Sequence, residues 1–140
     1  MTNNAPASKK IRVLVLDDEA AIAELLTEML KILGYDVSPC LRPREALELL
    51  GRESFDLVLS DFRMPEMNGK AFHGQVQAMN PALARRIIFL TGDTVNDETQ
   101  LFLQTSGNPH ISKPFQFTNI QQVLKDTLAQ PATGSLAGQS

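Results

Sequence analysis

The chain is poor in the residues that staple or anchor a fold: among its 140 residues are one cysteine, one tyrosine and no tryptophan. With Cys40 alone no intrachain disulfide can form, and without a Cys/His cluster there is no zinc site. A chain that needs no disulfide suits the reducing cytoplasm. No stretch approaches the roughly 20 apolar residues of a membrane span, and residues 1–10 lack the apolar segment of a signal peptide. Secretion and membrane insertion are therefore disfavoured. Thirteen Lys and Arg against sixteen Asp and Glu give a net charge of −3, with no dense basic run to serve as a footprint for nucleic acid or an anionic membrane. Direct DNA binding is disfavoured as well.

What is present suffices for one domain. A hydrophobic fraction of 43% fills a single core at this length. Residues 1–9 and 130–140 are rich in Asn, Ala, Pro, Ser, Gly and Gln without periodicity, so both are expected to be disordered tails around a folded unit at 10–129. Within that unit short apolar runs alternate with helical stretches, the signature of successive βαβ units around a covered parallel sheet.

Ile22, Leu25, Leu26, Met29, Leu30 and Leu33 repeat at helical spacing, and Gly34 follows as a stop. A short strand is expected at 36–40. Pro43 suits the first position of a second helix, which Gly51 is expected to end. Phe72, Val76 and Met79 mark a third helix over 68–79, closed by Asn80-Pro81. A fourth, over 95–105, has a thin apolar stripe. The fifth carries Ile120, Val123, Leu124 and Leu128 on one face, with Thr118 as its expected cap.

The chemistry gathers at the ends of the apolar runs. Asp17 and Asp18 follow residues 11–16, Asp61 follows 57–60, Thr91 follows 87–90 and Lys113 follows 110–112. All strands of an open parallel sheet end on one edge, where ligands bind at the reversal of strand order. Three carboxylates in one partly desolvated pocket repel one another unless a cation intervenes. Mg²⁺ suits such a site, being a hard ion that takes one or two carboxylates together with phosphate oxygens. A carboxylate nucleophile, a divalent metal, the Lys113 ammonium and the Thr91 hydroxyl describe a site that would form an aspartyl phosphate.

Four segments, Leu14-Val15-Leu16-Asp17-Asp18-Glu19, Asp61-Phe62-Arg63-Met64-Pro65-Glu66-Met67-Asn68-Gly69, Phe89-Leu90-Thr91-Gly92 and Lys113-Pro114-Phe115, resemble the receiver domain of two-component response regulators. The resemblance implies a flavodoxin-like, doubly wound α/β fold: a five-stranded parallel sheet of order 2-1-3-4-5 with five helices. It implies Asp61 as the phosphoacceptor, charged by a histidine kinase, a histidine phosphotransfer domain or a small phosphodonor. It further implies Mg²⁺ held by Asp18, Asp61 and the backbone carbonyl of Arg63, with Asp17 acting through a metal-bound water. Thr91 and Lys113 would contact the phosphoryl oxygens and report to the face of the fourth helix, fifth strand and fifth helix, through which homodimerisation is also expected. The Lys113–Pro114 bond is cis in the family.

Two positions bear on how such a receiver would work. His110 stands where the family usually places a Tyr or Phe switch; either it moves inward with Thr91 or it is a plain exposed strand-end histidine. Arg63 and Asp93 are placed to meet across the pocket rim and obstruct the water that attacks the phosphoryl group, or to form a weak exposed pair. Because the tail past Leu128 is too short for an effector, signalling by association with an unidentified downstream protein is expected, from a free-standing receiver or the receiver portion of a hybrid histidine kinase. A Mg²⁺-dependent phosphatase of the haloacid dehalogenase type is the competing enzyme reading, although that family wants Asp-x-Asp after its first strand. A flavin module is a fold-level alternative, against which the acidic first loop counts.

Overall fold

The computed structural model describes residues 10–92 and 96–130. Apart from Gln130, which follows the last helix, both expected tails lie outside those residues, as does Asp93. Five strands, β1 (Arg12–Leu16), β2 (Asp36–Cys40), β3 (Leu57–Asp61), β4 (Ile87–Thr91) and β5 (His110–Ser112), alternate with helices. The sheet is wholly parallel in the order β2-β1-β3-β4-β5. This is the flavodoxin-like order expected above.

The strands are apolar on both faces because helices cover both. Val13, Val15, Leu57, Leu59, Ile88 and Leu90 point to one side, where α1 (Ala20–Ile32) adds Leu26 and Leu30 and α6 (Phe117–Ala129) adds Ile120 and Leu124. Leu14, Leu16, Val58, Ile87 and Phe89 point to the other, against α2 (Pro43–Arg52), α3 (Gly69–Met79), α4 (Pro81–Ala84) and α5 (Asp97–Ser106). Phe115 packs on the first of these clusters.

Several helix ends follow the sequence. Gly34 adopts φ +97° just past α1, a conformation that side chains with a Cβ resist, and Pro43 opens α2. Three details differ. There are six helices, because Asn80, which ends α3, also caps α4 by accepting the Leu83 N–H at 3.1 Å, with Pro81 at its first position. Gly51 does not stop α2, which continues to Arg52; Gly51 is exposed there, where glycine costs only about 1 kcal/mol relative to alanine. Thr118 is not a cap, since α6 already begins at Phe117 behind Gln116 in extended backbone. Burial pushes the lone thiol, Cys40, up to about 11, so it remains a protonated core residue at neutral pH.

Candidate functional site

The register pairs Leu16 of β1 with Ser60 of β3, so the residues next along, Asp17 and Asp61, emerge side by side. The strand order reverses at this point, where β1 has β2 on one side and β3 on the other. Carboxylate oxygens of Asp17, Asp18 and Asp61 lie within 4.8 Å of one another. Asp17 is fully buried and Asp61 nearly so, whereas Asp18 is exposed at the mouth. The Oδ1 of Asp17 accepts the Glu19 N–H at 2.9 Å, an Asx-type turn that leads the chain into α1.

Lys113, carried past β5, sets its Nζ 3.5 Å from Asp17 Oδ2 and 3.6 Å from Asp61 Oδ1. One ammonium thus serves two buried carboxylates, and neither distance is that of a tight charge-assisted hydrogen bond. Asp17 Oδ2 is buried with no hydrogen-bond partner. Asp61 Oδ1 otherwise accepts a long bond, 3.4 Å, from the Arg63 N–H. Burial pushes the Asp61 carboxyl up to about 6; Lys113 opposes the shift and Asp17 reinforces it. Burial also raises Asp17, against the pull of the Glu19 N–H and Lys113. Two buried carboxylates, an exposed third and one orphaned oxygen have an oxygen-only donor set and an excess of negative charge. That combination fits a hard divalent cation such as Mg²⁺.

Thr91 ends β4 almost fully buried, and its hydroxyl donates to the Ile111 carbonyl at 3.5 Å. Its own carbonyl accepts the Lys113 N–H at 2.8 Å, tying the ends of β4 and β5 together. A cavity of about 140 Å³ lies over Asp61, bounded by Arg63, Thr91, Gly92, Thr99 and Lys113. The Lys113–Pro114 bond is cis. The structure therefore brings together Asp17, Asp18, Asp61, Thr91 and Lys113, with Arg63 at the rim. His110 is not among them: it is exposed, in register with Phe89, and the Thr91 hydroxyl turns to Ile111 instead.

Two features escaped the sequence. Thr99 lines the cavity from α5, a helix whose stripe gave no hint of its placement. Phe62, directly after Asp61, lays its ring on Gly69, where any Cβ would collide with it, and packs against Phe89 and Phe102 at centroid distances of 5.2 and 5.7 Å. Asn68 caps α3, accepting the Ala71 N–H at 2.9 Å, while Gly69 makes room for the aromatic ring.

Comparison with known sequences matches residues 13–125 to the family described as the response regulator receiver domain. The chain belongs to that family. This receiver is 34% identical over 119 residues to the transcriptional regulatory protein ZraR of Escherichia coli K12, a match that covers 85% of this chain and 26% of that protein. The chain thus spans about a quarter of the length of that relative. Among solved structures, a CheY-like receiver domain protein from Methanospirillum hungatei JF-1 superposes with a TM-score of 0.79 at 26% identity, covering 86% of this chain and 94% of that one. The response regulator TrrA of Thermotoga maritima, solved in complex with Mg²⁺-BeF, superposes with a TM-score of 0.74 at 30% identity, covering 84% and 99%. Family membership gives no support to the phosphatase reading. No helix among the described residues is long and apolar enough to cross a membrane.

Proposed function

We propose that this receiver is the phosphoacceptor module of a two-component phosphorelay in the cytoplasm, with Asp61 as the residue that is phosphorylated. A carboxylate oxygen of Asp61 attacks the phosphorus of a phosphohistidine on a histidine kinase or histidine phosphotransfer domain. The new P–O bond forms as the P–N bond breaks, and the imidazole leaves with that electron pair and takes up a proton. The observation that carries this reading is the Asp61 carboxylate at the base of its cavity, with Lys113 Nζ 3.6 Å away and Thr91 beside it.

A pKa near 6 leaves the Asp61 carboxylate mostly ionised at neutral pH, so the nucleophile is ready. Lys113 holds positive charge against the phosphoryl oxygens, and Thr91 exchanges its long bond to Ile111 for one of them. Asp17, Asp18, Asp61 and the Arg63 carbonyl would hold Mg²⁺, which when bound neutralises charge on the transferring group. Output follows from association, with a downstream protein or a second copy, through the face of α5, β5 and α6. The protein itself turns over only its own phosphoryl group.

Incubation with acetyl phosphate and Mg²⁺ should raise the intact mass by one phosphoryl group in the native chain and not in Asp61→Ala. An unmodified native chain, or equal modification of the variant, overturns the assignment. Multiple turnover on small phosphate esters would instead favour an enzyme.

A further inference from the structure

Outside the phosphoacceptor cavity the molecule has a groove of about 580 Å³ between α1 and the edge strand β2. Its floor includes Ala23 and Thr27 of α1 and Leu41, which follows β2 and leaves 41% of its surface exposed. Three carboxylates rim it: Glu24, Glu28 and Glu45. No Lys or Arg lines the groove, and none of the three glutamates forms an ion pair among the described residues. Glu45 Oε1 only accepts the Leu41 N–H, at 3.2 Å.

We infer that this groove is a docking site for a basic amphipathic helix of a partner protein. An apolar floor under an unpaired acidic rim is complementary to a segment whose aliphatic side chains are flanked by Lys or Arg. Glu24 and Glu28 stand one helical turn apart, about 5–6 Å between their Cβ atoms, which matches basic residues spaced four apart on a facing helix. Strand addition at β2 is the less suitable mode, because Pro39 sits in that edge strand and has no N–H to give a ladder. Nucleic acid and anionic lipid are repelled by the same carboxylates. The groove shares no lining residue with the cavity over Asp61, so an occupant here is not the phosphoryl donor's reacting group.

The test uses the full chain and an amidated, alanine-based helical peptide of about 16 residues, with two leucines flanked by Lys and Arg at four-residue spacing. Amide resonances over residues 20–28 and 39–45 should shift on titration. The double variant Glu24→Lys, Glu28→Lys, both exposed and expected to fold normally, should bind roughly tenfold more weakly. A peptide with its basic residues changed to Glu should prefer that variant to the native chain. Shifts confined to another surface, or equal affinity of native and double variant, would overturn the proposal. Equal binding of a peptide with both leucines changed to Ser would overturn it too, since attraction would then be diffuse charge without a groove.

Discussion

Strand β1 carries a charge cluster at each end, and the two are built on opposite terms. Where the strand begins, the Arg12 guanidinium lies 2.7 Å from Glu53 and 3.4 Å from Asp36, donates to the Ser54 carbonyl at 2.9 Å, and stacks 4.5 Å over the Phe55 ring. The Arg12 N–H donates to Asp56 at 2.9 Å. That cluster is partly exposed and its hydrogen bonds are short. Where the strand ends, two carboxylates are buried, their shared cation stands 3.5 and 3.6 Å away, and one oxygen has no hydrogen-bond partner. The first end keeps its charges hydrated and paired, which costs the fold little. The second withdraws them from water without completing their pairing, which destabilises the metal-free protein and leaves attractive potential for a cation.

The largest test of this contrast is Asp61→Asn in metal-free buffer. Because the folded-state carboxyl is raised to about 6 from 3.8, the folded protein holds its proton more tightly than the unfolded chain. The contribution of Asp61 to stability is therefore full below pH 3.8 and is lost as pH rises through about 6. Above that window the ionised group costs roughly 3 kcal/mol, about two pH units of differential protonation. Asp61→Asn should be more stable than the native chain by up to that amount at pH 8, and the difference should shrink to near zero at pH 4. Urea unfolding at the two pH values measures it, and a difference that does not depend on pH would contradict the account. Adding Mg²⁺ at ten times its Kd should return about 1.4 kcal/mol to the native chain and less to the variant.

The two ends also differed in how far the sequence revealed them. Asp17, Asp18, Asp61, Thr91 and Lys113 each follow an apolar run, and in a parallel sheet that position alone forecasts convergence on one edge. The order of the strands came from the family resemblance, since apolar runs of similar length do not say which strand lies beside which. Arg12 gave no signal, because Asp36, Glu53 and Phe55 approach it only after β2 and β3 have taken their places. Helix ends were legible where one residue has one use, as at Gly34. They were not where a residue serves two purposes: Asn80-Pro81 ends one helix and begins another. Thr99 could not be found either, since a helix with a single buried residue, Leu103, has little pattern to fix its rotation.

Arg12→Ala is the next step down. Loss of two partly exposed ion pairs, at about 0.2–1 kcal/mol each, and of the cation–π contact, at about 0.5–1 kcal/mol, should destabilise the chain by about 1–3 kcal/mol. Unlike Asp61→Asn, this variant should gain as much from Mg²⁺ as the native chain does, because its defect is at the far end of the strand. Thermal unfolding with and without Mg²⁺ separates the two. A Mg²⁺ increment altered by Arg12→Ala would mean that the two ends of β1 are coupled and the contrast between them is false.

Glu53→Gln should have the smallest effect, below about 0.5 kcal/mol, since the side chain is 44% exposed and its amide oxygen can still accept from Arg12. Its dependence on salt is more informative than its size. At about 1 M NaCl, where the screening length falls to roughly 3 Å, the difference between Glu53→Gln and the native chain should vanish. The difference between Asp61→Asn and the native chain at pH 8 should largely persist, because burial leads the causes that raise the Asp61 carboxyl and dissolved ions do not restore lost hydration. Should salt erase the Asp61→Asn difference as well, repulsion among Asp17, Asp18 and Asp61 would be the dominant cost. The pocket would then be charged chiefly by its neighbours and not by its dryness.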